Sequence, residues 1–248
     1  MAYREFAPAA DLGGLVACSW ERRVPGRDAP PSTRVLPDGC VDLLWRGSEL
    51  VVAGPDRGHV ISPLRPGETV VGLRLRPGVA GSVLGLPAKE LRDSRVSLRE
   101  LWGHGGMELE ERLGLADTAA RRRRLLELAL RARLARAEEP DALVRAATRV
   151  LGLPRARIDA LGDVLGTSER QLLRRFDKAV GYGPKTLDRV LRFRRFLAFA
   201  PGLSADENEL ARVAAELGYA DQSHLSRECS RLGGLPPRRL VAEWAGSA

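Results

Sequence analysis

The residues best suited to chemistry lie near the end of the chain. Gln222, Ser223, His224 and Arg227, with Ser226 beside them, follow a tight turn at Gly218 and fall within two helical turns. Arginine offers a planar fork that matches the O6 and N7 edge of guanine. Glutamine and serine can meet an adenine edge or a phosphate, and an imidazole at helical spacing can join them. Arg170, Leu173 and Arg174 make a second set upstream, in which Leu173 suits either a thymine methyl or a packing contact. This is the chemistry of recognition. The patterns of bond-breaking chemistry are missing from the sequence: no GxSxG, no HExxH, no phosphate loop and no recognisable cysteine–histidine pairing. Cys18, Cys40 and Cys229 are widely spaced without a CxxC pair, and His59 has no companion at ligand spacing. We therefore expect no catalytic residue, no metal and no cofactor.

Both sets sit in the same frame. Residues 210–244 read as a short helix, a turn at Gly218 and a second helix with a polar and basic face. Residues 158–184 are a worn copy. At an offset of 52, Ile158 meets Leu210, Leu161 meets Val213, Leu165 meets Leu217 and Gly166 meets Gly218. Past the turn the second unit has one extra residue. Leu172 then meets Leu225, Phe176 meets Cys229, Gly181 meets Gly234 and Pro184 meets Pro237. The glycines at the turns can take the left-handed conformation that joins two helices closely. Between the copies, KTLDRVLRFRRFLAFA reads as a long amphipathic helix with Leu187, Leu191, Phe196 and Phe199 among its apolar positions. It would fix the spacing of two reading heads so that both enter successive major-groove turns about 34 Å apart. Arg192, Arg194 and Arg195 on that helix suit acidic neighbours as well as phosphate.

LGTSERQLLRRFDKAVGYGPKTL, RVLRFRRFL, LGYADQSHLSRECSRLGGLPPRRL and the Gly-x-x-Pro after each second helix resemble the AraC/XylS family of bacterial transcription regulators. The resemblance covers roughly residues 141–244. It implies a DNA-binding domain of two helix-turn-helix units joined by a long helix, with DNA contacts at Arg170, Leu173, Arg174, Gln222, Ser223, His224 and Arg227. Cys229 stands where the family usually has an aromatic residue.

The first half of the chain is different in texture. LVACSWERRV, VLPDGCVDLLWRG, ELVVAGP and TVVGLRLRPG are short Val- and Leu-rich runs bounded by turn residues, the mark of strands. In the last, Val71, Leu73 and Leu75 alternate with Gly72, Arg74 and Arg76, which predicts one buried and one wet face. Short helical stretches follow from Pro77, then a long helix over 117–139 with Leu126, Leu130 and Leu134 in one stripe. That stripe needs a partner, either the β domain or the same helix of a second chain, and self-association through it is the expectation. Arg121–Arg124 reads as the solvated face of this helix. Cys40 reads as buried filler, and Trp20, Trp45 and Trp102 as core. PDGCVDLLW, VAGP and RLRPGVAGSVLGLPAKELRD…SLRELWG resemble an uncharacterised N-terminal domain found on a subset of such regulators. That resemblance implies a sensory or dimerisation role.

Composition agrees with these readings. With 44% hydrophobic and 29% charged residues among 248, a packed core is expected and wholesale disorder is not. The net charge is +8, mostly arginine, which fits a nucleic-acid partner. No apolar run approaches a membrane span and no signal peptide is visible, so a cytoplasmic chain without membrane contact is expected. The fold class expected is α+β: a small β-rich sensory or dimerisation domain over 1–116, an amphipathic linker helix over 117–140, and an all-α double helix-turn-helix domain over 141–248. The function expected is sequence-specific promoter binding. The partners are double-stranded DNA, RNA polymerase by family analogy, and through the first domain a small-molecule effector or a second copy in a homodimer. An effector-independent architectural DNA-binding protein, or a regulator controlled by a protein partner, are the competing readings.

Overall fold

The computed structural model describes residues 2–26, 30–153, 156, 158–203 and 207–245. Eight strands come first: β1 (Ala2–Phe6), β2 (Val16–Arg23), β3 (Ser32–Val35), β4 (Val41–Arg46), β5 (Glu49–Ala53), β6 (Val60–Pro63), β7 (Thr69–Leu75) and β8 (Arg95–Ser97). Six of them form one antiparallel sheet in the order β1-β2-β7-β4-β5-β8, and β3 pairs with β6 in a separate two-stranded sheet. The alternation read from the sequence sets the inner face. Leu43 on β4 and Ser19 on β2 both stand opposite Leu73 on β7. With Trp45, Leu50, Val52, Val71 and Leu75 the leucines form a buried layer.

Four helices cover that layer: α1 (Ala80–Leu84), α2 (Leu98–Trp102), α3 (His104–Leu115) and α4 (Ala119–Leu134). Thr118 caps α4 by accepting from the Arg121 amide. Leu126 and Leu130 are fully buried in the sheet's core, with Leu134 packed against it. The stripe therefore has its partner within the chain, and the expected self-association through it is corrected. Periodicity showed which face of α4 is apolar but not what covers it. The helix expected as a linker packs this stripe against the sheet. Of Arg121–Arg124, Arg122 reaches the Leu113 carbonyl, while Arg123 pairs with buried Glu21 and stacks on Phe6.

The wet face expected on β7 also needs correction. Trp20 lies across Gly72, and the Trp20 indole N–H donates to Asp42 at 3.1 Å. Arg74 is largely covered and paired with Asp42 and Asp38, each at 3.2 Å. Burial opposes the Arg74 charge, but the two carboxylates outweigh it and hold its pKa above the usual arginine range. The expected wet face thus narrows to Arg76, which is exposed just past the strand's end and donates to the Gly13 carbonyl.

The remaining described elements are helices: α5 (Ala142–Gly152), α6 (Leu161–Val164), α7 (Glu169–Ala179), α8 (Pro184–Phe199), α9 (Glu207–Glu216), α10 (Gln222–Gly233) and α11 (Pro237–Ala245). Two cores lie side by side. Val144, Ala147, Leu151, Leu161, Leu172, Phe176 and Leu187 build the first, and Val190, Phe193, Phe196, Leu210, Val213, Leu225 and Cys229 the second. Helix α8 contributes to both. Its 16 residues give an axis about 24 Å long. Gly183 and Pro184 start it, proline at the first helical position needing no amide partner. Phe199, read from the sequence as an apolar-face residue, lies 38% exposed at its end.

Candidate nucleic-acid interface

The two helix-turn-helix units carry the same construction with unequal first helices. α6 is a single turn of four residues, whereas α9 has ten. Gly162 lies against the Thr167 carbonyl, where a side chain would come within 2.9 Å. The turns match: Gly166 and Gly218 both take positive φ, 61° and 79°. At the start of α7, Ser168 and Gln171 form a reciprocal capping box, Ser168 Oγ accepting from the Gln171 amide at 3.3 Å. At the start of α10, Asp221 accepts from the His224 amide at 2.6 Å. Both caps fix the angle at which the second helix leaves the turn.

The outward residues of these helices are those expected from the repeat. Arg170, Leu173 and Arg174 are exposed on α7, as are Ser223 and Arg227 on α10, with Gln222, His224 and Ser226 half-buried. Leu173 is 42% exposed and leans over Gly183, so its apolar tip is divided between solvent and the start of α8. Arg174 and Arg227 occupy equivalent places at the offset of 53 found in the sequence. Among the described residues neither they nor Arg170 makes an ion pair. His224 is partly committed: its Nδ1 accepts from the Ala220 amide at 3.3 Å, and its ring meets Tyr219 edge-on at 5.3 Å. In the neutral ring that arrangement puts the proton on Nε2, which leaves a single donor.

The arginines of α8 divide differently. Arg189 grips Glu228 of α10 in a two-bond pair at 2.8 and 2.5 Å. Arg192 pairs with Asp188, donates to the Gly218 carbonyl at 3.3 Å and lies over the Tyr219 ring. Arg194 pairs with Asp38, and Arg195 donates to the Leu151 and Leu153 carbonyls. All four hold protein to protein. Arg192 and Arg194 thus take the acidic neighbours that the sequence allowed them, whereas Arg189 was not singled out as a group that positions α10. For Arg192 the available signal was its i, i+4 spacing from Asp188. Cys229, at the place of Phe176, is as fully buried as that phenylalanine.

Chemical capacity follows from this geometry. Two helix N-terminal halves present uncommitted guanidinium groups, hydroxyls and an amide, each next to a fixed turn. Among the described residues no group of His, Cys, Asp and Glu could hold a metal ion. No helix among the described residues is long and apolar enough to cross a membrane.

Comparison with known families agrees with the geometry. Residues 161–243, which span both units, match the model of a helix-turn-helix domain. The chain carries an AraC-type helix-turn-helix domain. Residues 4–97 match the model of a domain of unknown function (DUF6597), which spans the strands of the β-rich region. No curated relative matches the sequence. Solved structures similar to the chain include an apo variant of ToxT from Vibrio cholerae strain SCE256, 12% identical. It covers 92% of this chain and 97% of that one with a TM-score of 0.47. ToxT from Vibrio cholerae O395 is 9% identical and covers 92% and 98%, with a TM-score of 0.47. The unsaturated fatty acid bound wild-type ToxT is 12% identical and covers 94% and 96%, with a TM-score of 0.46. The helix-turn-helix match over both units supports a DNA-binding transcription regulator.

Proposed function

We propose that this regulator reads two successive major-groove segments of a promoter, with α7 and α10 as the reading helices and α8 as the ruler between them. The observation that carries the proposal is the equivalence of Arg174 and Arg227. Both are exposed, both lack an ion pair among the described residues, and both stand on helices anchored to one 16-residue helix. Arg170, Leu173, Gln222, Ser223 and His224 complete the reading surfaces, with His224 contributing its Nε2 donor. Phosphate contacts set the register and these side chains set the sequence. We divide the chain functionally at Pro140: the β-rich region with α4 is the modulating domain, through which an effector or a second copy shifts promoter occupancy and contact with RNA polymerase. Titration of Arg227→Ala against a selected binding site and against random DNA tests the reading. Affinity for the site falls by about 1 to 3 kcal/mol while non-specific binding stays nearly unchanged. Equal losses on both DNAs reduce Arg227 to a phosphate contact.

A further inference from the structure

The six-residue loop between β5 and β6, Gly54–His59, touches both reading units at equivalent corners. At the first, Gly181 follows α7 with φ 96°, and a side chain there would come within 2.8 Å of Pro55. At the second, Gly234 ends α10 with φ 73°, and a side chain there would run into the His59 ring. Gly181 and Gly234 are the matched glycines of the internal repeat. One loop of the β-rich domain thus bears on both copies of one motif.

The loop is built to be stiff. Asp56 accepts two bonds from Arg95 at 2.9 and 2.7 Å, and Asp93 accepts from the Arg57 amide and side chain at 2.8 and 2.7 Å. The Gly54 amide donates to the Ser94 carbonyl, and the Asp93 amide returns a bond to the Pro55 carbonyl. Arg34, on the adjoining β3, extends the second contact by donating to the Gly233 carbonyl at 3.1 Å and pairing with Glu243 of α11. Between the corners, Asp38 of the PDGC turn pairs with Arg194 of α8. The contacts fall at the C-terminal ends of α7 and α10. The N-terminal halves, which face the groove in this docking mode, stay clear.

We infer that the Gly54–His59 loop is a brace that sets the placement of the two reading helices relative to each other, and so determines which spacing of half-sites the chain accepts. The VAGP run that resembles a domain signature is, on this account, a docking element for the DNA-binding domain. The inference rests on the two-headed reading proposed above. Pro55, His59 and Arg34 are positioning residues and touch no DNA.

Binding-site selection from random duplexes with the full chain and with the Arg34→Ala/His59→Ala chain tests this. The full chain enriches a two-part site with one dominant spacing. The variant enriches the same half-site sequences at two or more spacings, and its affinity for a single half-site stays within about twofold because α7, α10 and their caps are untouched. The same dominant spacing in both chains overturns the brace while leaving the two-headed reading in place. Loss of single half-site binding by the variant also overturns it, since the contacts would then support the fold of a unit. Failure of the unmodified chain to enrich a two-part site overturns the two-headed reading and the brace with it. Pro55→Ala, which trims only the first corner, adds an independent arm: it broadens the spacing without changing either half-site.

Discussion

Glu228→Gln keeps the size and shape of a side chain that is nearly fully buried between α8 and α10 and removes its charge. In the native chain Arg189 donates two bonds to this carboxylate. The glutamine amide keeps one acceptor oxygen, so one of the two bonds is lost and the other loses its carboxylate charge. With charge-assisted hydrogen bonds contributing about 1.5 to 3 kcal/mol, the change costs about 2 to 3 kcal/mol before solvent is considered. The Arg189 side chain is 26% exposed, and screening there reduces the expected loss to about 1 to 2 kcal/mol. The pH dependence follows from the pair. Burial pushes the Glu228 carboxyl upward, but the Arg189 bonds and charge outweigh it and leave the pKa below the ordinary carboxylate value. A folded-state pKa below the unfolded one gives stability that is present above the unfolded value. It is lost as the pH falls through the folded value. The gap between the native and Glu228→Gln chains is therefore full at pH 7 and narrows as the pH falls below the ordinary carboxylate range. Urea titrations at pH 7 and pH 3.5, with hydrogen exchange read on α10 peptides, measure the gap. A gap of equal size at both pH values refutes the electrostatic account of how α10 is held on the ruler.

Other outcomes follow from the same structure. Leu126→Ala opens a cavity in the sheet's core and lowers stability by about 2 to 5 kcal/mol, with no change of mass in light scattering. A mass that falls from dimer to monomer would return the stripe to an intermolecular role. Burial, followed by the charge of Asp38, pushes the Cys40 thiol well above its usual value, and burial raises Cys18 to about 11 and Cys229 further. All three thiols therefore stay protonated at pH 8, and alkylation of the native chain is at least about tenfold slower than that of a free thiol. A single fast-reacting cysteine contradicts this. Arg192→Ala frees the Gly218 turn and the Tyr219 ring, so it weakens binding of the second half-site without affecting the first, as read by titration of separated half-sites.

The repeat was legible because it is local. Offsets of 52 and 53 aligned glycines that the structure finds at positive φ, and they aligned Phe176 with a Cys229 buried to the same degree. The strand alternation of Val71, Leu73 and Leu75 was legible for the same reason. What periodicity could not show was the far partner. Arg74 looked solvated because the acids that pair with it, Asp42 and Asp38, lie more than 30 residues away. Leu126 looked available because β7, the strand that its helix covers, ends more than 50 residues upstream. Arg194 finds Asp38 from 156 residues away, a pairing with no trace in local pattern. The contacts of Pro55 and His59 with two repeat glycines were equally hidden. Each glycine was readable as a turn residue, but not as a place where another domain comes close.

Chemical footprinting of guanines in the major groove, on a site selected by the full chain, tests the central claim most directly. Two protected patches about one helical turn, roughly 10 base pairs, apart are expected. Arg174→Ala erases one patch and Arg227→Ala the other. A single patch contradicts two-headed reading. So does uniform weakening of both patches by either variant, with the salt dependence reduced by about one phosphate contact.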